Sequence, residues 1–117
     1  MKTIYYTLPT SKRIITYHIG KNAKENTEVL IPSCAEEDLW FHAENKSSCH
    51  VVALMQPHLQ KKEKHQLIKY GAYLCKYYTN KLRNEDEVVI SFTRVKNLKT
   101  LCIPGMVEYT YSGSIII

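Results

Sequence analysis

The residues best suited to chemistry lie in two short segments near the middle of the chain. The first carries an acid, an indole and an imidazole at alternate positions, Asp38, Trp40 and His42, and the second carries Ser48 and His50. Successive side chains of a strand point to opposite faces, so a strand here places the first three on one face. An indole can stack on a base while carboxylates and imidazoles bond to base edges. This face is therefore typical of nucleic-acid binding, although Trp40 in the core with a structural Asp38–His42 pair fits the periodicity equally well.

The same residues also permit catalytic interpretations. Asp38, His42 and His50 could act as acid, base or metal ligands, because such residue types concentrate at active sites. Ser48 with His50 and Asp38 has the composition of a hydrolytic triad, but no nucleophile elbow accompanies it. His42 and Glu44 match the H-x-E half of a zinc-deaminase signature whose P-C-x-x-C half is absent. These gaps make an enzyme acting on RNA or nucleotides the weaker alternative.

A basic segment follows a predicted strand later in the chain. Arg94, Lys96, Asn97 and Lys99 place three cations and an amide within six residues. Such groups can bind phosphates, and these four are expected to do so. An ordinary solvated loop is the alternative.

Turn residues flank the two chemical segments. Gly20 permits a sharp strand-to-helix turn, and Asn22 is expected to cap the helix that follows. Pro104 and Gly105 predict a second turn near the end of the chain.

Composition limits the class of protein. The 117 residues suffice for a single domain, here predicted over residues 1–117, and carry a net charge of +5. Residues 59–102 contain ten basic and four acidic residues, a net +6, which favours a polyanionic partner. No apolar run is long enough for a membrane span, and no cofactor or zinc motif is present. With no signal peptide and four isolated cysteines, the sequence predicts a cytoplasmic, intracellular protein with free thiols.

The hydrophobic pattern predicts an α+β fold with a mostly antiparallel sheet. The two helices are expected over 21–30 and, much longer, over 58–79. A loop is expected at 31–37, and the segment VKNLKT is expected to be a basic loop. Strands are expected over 3–7, 13–19, 38–43, 50–55 and 87–93, with one or two more in 106–117 broken at Gly113, in the order ββαββαβββ.

Four ordered motifs together resemble the NFACT-R domain, the C-terminal module of the NFACT proteins of ribosome-associated quality control. The resemblance covers about residues 13–111. Its motifs are G-[KR]-N-x-x-E-N, D-[IL]-W-[FL]-H, S-x-H-V, and V-K-N-[VL]-[KR] followed by P-G-x-V. They are matched by Gly20, Lys21, Asn22, Glu25 and Asn26; by Asp38 to His42; by Ser48, His50 and Val51; and by Val95 to Lys99 with Pro104, Gly105 and Val107.

The resemblance implies a standalone NFACT-R domain that binds RNA, namely tRNA or rRNA, in translation or ribosome-associated quality control. DNA is a second candidate nucleic acid, and the ribosome a candidate partner. A protein-interaction module that docks on the ribosome is a further alternative. The nucleic-acid contacts expected from the residues and the resemblance are Asp38, Trp40, His42, Ser48, His50, Arg94, Lys96, Asn97 and Lys99. Gly20, Asn22, Glu25, Asn26, Pro104 and Gly105 are expected to be structural.

Overall fold

A six-stranded antiparallel sheet forms the centre of the fold in the computed structural model, which describes residues 1–110 and 113–117. The strands are β1 (Lys2–Thr7), β2 (Ile14–Gly20), β3 (Leu39–Ala43), β4 (His50–Ala53), β5 (Val89–Arg94), β6 (Leu98–Thr100), β7 (Val107–Tyr109) and β8 (Gly113–Ile116). The sheet has the order β1-β2-β4-β3-β5-β8, and β6 pairs with β7 in a separate antiparallel ribbon. The predicted α+β class and both predicted hairpins, β1–β2 and β3–β4, are confirmed.

Two helical segments accompany the sheet. The short one runs without a break through α1 (Ala23–Glu25), a π-helical turn (Asn26–Leu30) and a 3₁₀ turn (Ile31–Ser33). The helical segment thus extends past the predicted end at residue 30. Pro32 does not stop it, because this proline lies in the first turn of the 3₁₀ segment, where its missing N–H is not needed. The long helix is α2 (Lys61–Tyr77). No helix in the described part of the chain is long and apolar enough to cross a membrane.

The predicted basic loop is partly wrong. Its first residues form a 3₁₀ turn (Val95–Asn97), and its remainder is strand β6, whose Lys99 lies opposite Glu108 of β7. The predicted break at Gly113 is also displaced, since Gly113 is the first residue of β8. Tyr111 and Ser112, which belong to the predicted terminal strand segment, lie outside the described residues.

One face of the sheet packs against α2 and forms the main core. Leu39, Phe41 and Ala43 of β3 all point into it, as the period of two predicts. Gly71 of α2 lies directly over the Phe41 ring, and a Cβ at residue 71 would come within 2.4 Å of that ring. The glycine thus permits the close approach of helix and sheet.

The other face of the sheet is also covered. Trp40 and Val52 point away from α2 and pack with Leu30 of the short helical segment in a second buried cluster. Val107 and Tyr109 of the β6–β7 ribbon close this cluster from outside. The protein therefore has three layers, with α2 on one side of the sheet and the short helical segment plus the ribbon on the other.

Candidate nucleic-acid interface

A polar groove of about 440 Å³ forms where the second covering layer meets the sheet. We call it the imidazole groove, after His42 and His50 in its wall. Segments far apart in sequence line it: 21–23 and Asn26, His42, 47–50, 78–81, and 104–106. A second pocket of about 570 Å³ adjoins it, shares both histidines and reaches Tyr109. The motifs around residues 20, 42, 50 and 105, which are separate in sequence, are thus joined by the fold in one place.

The two histidines form a close pair in the groove. Their ring centroids are 4.9 Å apart, and the rings meet edge to face. The His42 ring also lies parallel to the indole of Trp40, with centroids 5.5 Å apart. The half-buried His42 is therefore the outer ring of a two-ring stack, and it presents an imidazole to the groove.

Both imidazoles are neutral at physiological pH. The indole Nε1–H of Trp40 donates to Nδ1 of His50 at 3.1 Å, so Nδ1 carries no proton and Nε2 must carry the single one. Burial lowers the pKa of His50 to about 3, helped by the neighbouring His42. Burial likewise lowers the pKa of His42. The groove therefore offers fixed imidazole hydrogen-bonding groups rather than cationic ones.

The predicted exposure of Trp40 is wrong. The indole is only 1% exposed, with Tyr109 packed 5.0 Å from it, and no face is open to a base. Periodicity correctly separated Trp40 from the α2 face, but it does not show that a second layer covers the opposite face. The alternative interpretation, in which the indole anchors the core, agrees with this burial.

Asp38 does not reach the groove. Its buried carboxylate accepts the backbone N–H of Ala35 and that of Met55, both at 2.9 Å, and so joins two loops. The expected Asp38–His42–His50 constellation is therefore not assembled. Across residues 1–110 and 113–117, no three His, Cys, Asp or Glu side chains are grouped so that they could hold a metal ion.

The hydroxyl of Ser48 is bonded to the backbone. Its Oγ accepts the N–H of Ala43 and donates to the carbonyl of Cys49, each at 3.0 Å. Nδ1 of His50, which a serine nucleophile could have used, is occupied by Trp40. These bonds leave the residues of the supposed triad unconnected, although Ser48 and His50 both line the groove.

The expected phosphate-binding residues lie elsewhere. Arg94 and Lys96 both pair with Glu37, and the Lys96 Nζ lies 2.8 Å from its carboxylate. Asn97 donates to the hydroxyl of Thr93 at 3.0 Å. In the β3–β5 register Arg94 is opposite Leu39, at the far end of β3 from His42. Arg94 and Lys96, with Lys99 on β6, form an exposed basic edge outside the groove, and the half-buried Asn97 lies beside them.

Two lysines of the groove are not among the binding residues that the sequence predicts. Lys21 and Lys81 line it, and neither ammonium forms a salt bridge within the described residues. The sequence predicts a structural turn around Lys21, and it predicts that Lys81 lies near the end of a helix. Neither prediction marks the lysine as a binding residue. No sequence signal relates residue 81 to residue 42, because their proximity comes from the packing of α2 on the sheet.

The turn after β2 has the predicted capping role. The Asn22 side chain accepts the N–H of Glu25 at 2.9 Å, and the Glu25 carboxylate accepts the N–H of Lys21, which lowers the Glu25 pKa. A Cβ at Gly20 would collide with Oδ1 of Asn26. That oxygen is buried and has no hydrogen-bond partner in the parts of the chain that the structure describes.

The second turn completes the groove wall. Gly105 has a positive φ of 83°, a conformation that other residues adopt with strain. A Cβ there would lie 2.7 Å from the Cβ of Ala23, so the absence of a side chain lets this turn pack on α1. Its N–H also donates to the hydroxyl of Thr27 at 3.4 Å. Gly105 thus fixes the edge of the groove.

Comparison with known proteins identifies relatives of this chain. The family model of the NFACT protein RNA binding domain matches residues 2–115. The Rqc2 homolog RqcH of Bacillus subtilis is 23% identical over 105 residues, which is 88% of this chain and 17% of that protein. The C-terminal part of the fibronectin/fibrinogen-binding protein of Streptococcus suis has a similar fold. Its TM-score is 0.78 at 24% identity, over 97% of this chain and 44% of that one. The chain thus spans less than half the length of either protein.

Proposed function

The chain belongs to the family of NFACT protein RNA-binding domains, and on that premise we propose that it binds RNA through the imidazole groove. The observation that carries this proposal is the convergence of distant segments on one polar groove bordered by Lys21 and Lys81. Neither ammonium forms a salt bridge within the described residues, although the charge of Lys21 also acts on the nearby Glu25 carboxylate. A groove with cations on its rim and neutral imidazoles in its wall suits a phosphate backbone with its attached bases and sugars.

Each groove residue has a distinct part in this proposal. Lys21 and Lys81 contact phosphates, and the outer face of His42 stacks on a base. Nε2–H of His50 is a hydrogen-bonding group for a base edge or a 2′-hydroxyl. Ser48 supports the groove wall instead, because its hydroxyl is bonded to the backbone of Ala43 and Cys49.

The remaining predicted contacts act indirectly or at the margin. Asp38 and Trp40 position the loops and the His50 ring. The basic edge around Arg94, Lys96, Asn97 and Lys99 supplies additional phosphate contacts. To do so, Arg94 and Lys96 exchange their ion pairs with Glu37 for contacts with RNA phosphates. Exposed ion pairs of this kind contribute little stability, so the exchange costs little.

We further propose that the RNA is tRNA or rRNA and that the chain works in translation or ribosome-associated quality control. The family match and the similarity to RqcH support this setting. In this interpretation the chain meets a ribosome or a tRNA as a binding module, and its groove contacts the RNA directly.

Titration of labelled tRNA at several salt concentrations tests the groove. Lys21→Ala/Lys81→Ala should weaken binding and flatten the slope of log affinity against log salt, by about 0.7–0.9 for each phosphate that the variant no longer neutralises. The matched control is Lys62→Ala/Lys64→Ala, which removes the same charge at the other end of α2. His42→Ala should weaken binding at every salt concentration, because stacking is less dependent on salt than phosphate contacts.

The proposal fails if the groove variant and the control reduce affinity equally, since net charge alone would then explain binding. It also fails if wild-type protein binds no RNA at low salt.

A further inference from the structure

A row of aromatic rings lies on the exposed side of α2, outside the imidazole groove but reaching its neighbourhood at Tyr77. Tyr6 of β1 stacks on Tyr70 with centroids 3.7 Å apart and planes 6° apart. Tyr70 contacts Tyr73 at 5.7 Å, and Tyr73 stacks on Tyr77 at 5.7 Å. We call these four residues the tyrosine ladder. Spacings of three and four residues place the helical members on one face of α2.

The outer rings of the ladder are open to solvent. Tyr73 is 44% exposed and Tyr77 is 41% exposed, so both rings are partly open to solvent although they contact each other and Arg83 lies over the ring of Tyr77. Tyr6 and Tyr70 form the wall of an apolar groove of about 620 Å³, which Pro9 also lines. A cavity of this size is within the range of small-molecule sites. Exposed aromatic surface next to such a groove is typical of a binding surface.

The surroundings of the tyrosine ladder are cationic. Lys69 lines the apolar groove, and the guanidinium of Arg83 lies 4.7 Å from the Tyr77 ring centre. Lys2 lies 5.3 Å from the ring centre of Tyr78. The acidic residue of α2, Glu63, is buried in the first turn beside Arg13. The charge near the rings therefore suits a polyanion.

The tyrosine ladder also leads towards the imidazole groove. The ring of Tyr77 contacts that of Tyr78 at 5.1 Å, and Tyr78 lines the groove. From Tyr70 to Tyr77 the helix rises by about 10 Å. A nucleic-acid strand that leaves the groove past the end of α2 would meet the rings next.

We propose that the tyrosine ladder is a second RNA-binding site, which stacks the unpaired bases of a single-stranded segment while Lys69 and Arg83 contact its phosphates. This inference rests on the proposed function, because it takes RNA as the ligand of the chain. Paired bases stack within their own helix and offer no free ring faces, so the ladder selects single strands. Aromatic rings beside cations are the common device of proteins that bind single strands.

Binding of a labelled single-stranded oligouridylate and of a double-stranded RNA tests this inference. Tyr73→Ala/Tyr77→Ala should lower affinity for the single strand by about tenfold or more for each ring, and leave affinity for the duplex unchanged. Tyr73→Phe/Tyr77→Phe should bind as wild type does, because it retains both rings. Tyr5→Ala is the matched control, since Tyr5 is exposed and lies outside the tyrosine ladder.

The outcomes separate this inference from the proposed function. If the ladder variant loses single-strand affinity while Lys21→Ala/Lys81→Ala does not, the ladder inference is supported and the groove proposal fails. If the ladder variant binds both RNAs as wild type does, the ladder inference is overturned, whatever the groove variant shows. Absence of all RNA binding by wild-type protein overturns both. Circular dichroism spectra of each variant confirm that α2 is intact.

Discussion

At the scale of single residues, the groove depends on one indole hydrogen bond. Trp40 donates to His50, fixes which nitrogen of that imidazole carries the proton, and supports the His42 ring from behind. Residue types and spacing predicted that these three side chains matter and that His42 and His50 come together. They could not show which ring is exposed, because that depends on residues 30 and 109, which cover the indole from elsewhere in the chain.

The depressed pKa values make stability depend on pH. The unfolded chain protonates its histidines near pH 6.5, whereas native His50 does so only at about 3, so the unfolded state binds more protons in between. The free energy of unfolding should therefore fall as the pH drops from about 6.5 towards 3, at up to about 1.4 kcal/mol per pH unit from this group. His42 adds to the same trend.

Urea titrations across this pH range measure the effect. His50→Gln removes the titrating group and should show a shallower decline than wild type. Equal slopes in the two proteins would show that His50 titrates normally in the native state.

Replacement of Trp40 by Phe tests the hydrogen bond itself. Trp40→Phe leaves Nδ1 of His50 buried without its donor, at a cost of about 1–3 kcal/mol in addition to the poorer packing of the smaller ring. Nitrogen chemical shifts of the His50 ring should report that the tautomer is no longer fixed. Retention of the wild-type tautomer would indicate that another group determines it.

At the scale of elements, the predictable parts of the fold are those with a clear period. The alternation of side chains in β3 correctly predicted the residues that face α2, and the helical spacing of apolar residues predicted α2 itself. Strand β6 was missed because Leu98–Thr100 is three residues long and mostly exposed, and too short to show alternation. The ribbon that covers Trp40 was not predicted for the same reason, so the sequence predicted an open face where the structure has a groove.

The contact between α2 and β3 yields a stability prediction. In a helix interior alanine normally improves on glycine, by about 0.8–1 kcal/mol. At Gly71 the added Cβ would press on the Phe41 ring, so Gly71→Ala should instead lower the free energy of unfolding, by about 1–3 kcal/mol. Chemical denaturation measures this change. A compensating Phe41→Leu should recover part of the stability, and a more stable single variant would show that sheet and helix are packed less closely.

At the scale of the whole molecule, the charge excess is distributed over three surfaces. The sequence shows that the excess positive charge lies in residues 59–102. In the fold, Lys81 lines the imidazole groove and Lys69 lies beside the tyrosine ladder. Arg94 and Lys96 lie at the basic edge, where Glu37 pairs with both. Net charge therefore predicts a polyanionic partner, while the position of the contacts follows only from the topology.

Removal of the Glu37 charge should strengthen RNA binding. Glu37→Gln frees Arg94 and Lys96 for phosphates, and should raise affinity at low salt several-fold with a steeper salt dependence. Glu28→Gln is the matched control, because it removes the same charge from an exposed residue with no salt bridge among the described residues. Equal effects of the two variants would exclude a specific role for the basic edge.

The convergence of distant segments on the imidazole groove also bears on how the chain acquires selectivity as it folds. The pairs β2–β4 and β3–β5 and the packing of Gly105 on α1 are all long-range contacts, which form late and slowly compared with the turns of a helix. If RNA binds as proposed, any selectivity of the groove requires all of these long-range contacts to be in place, including the packing of Gly105 on Ala23.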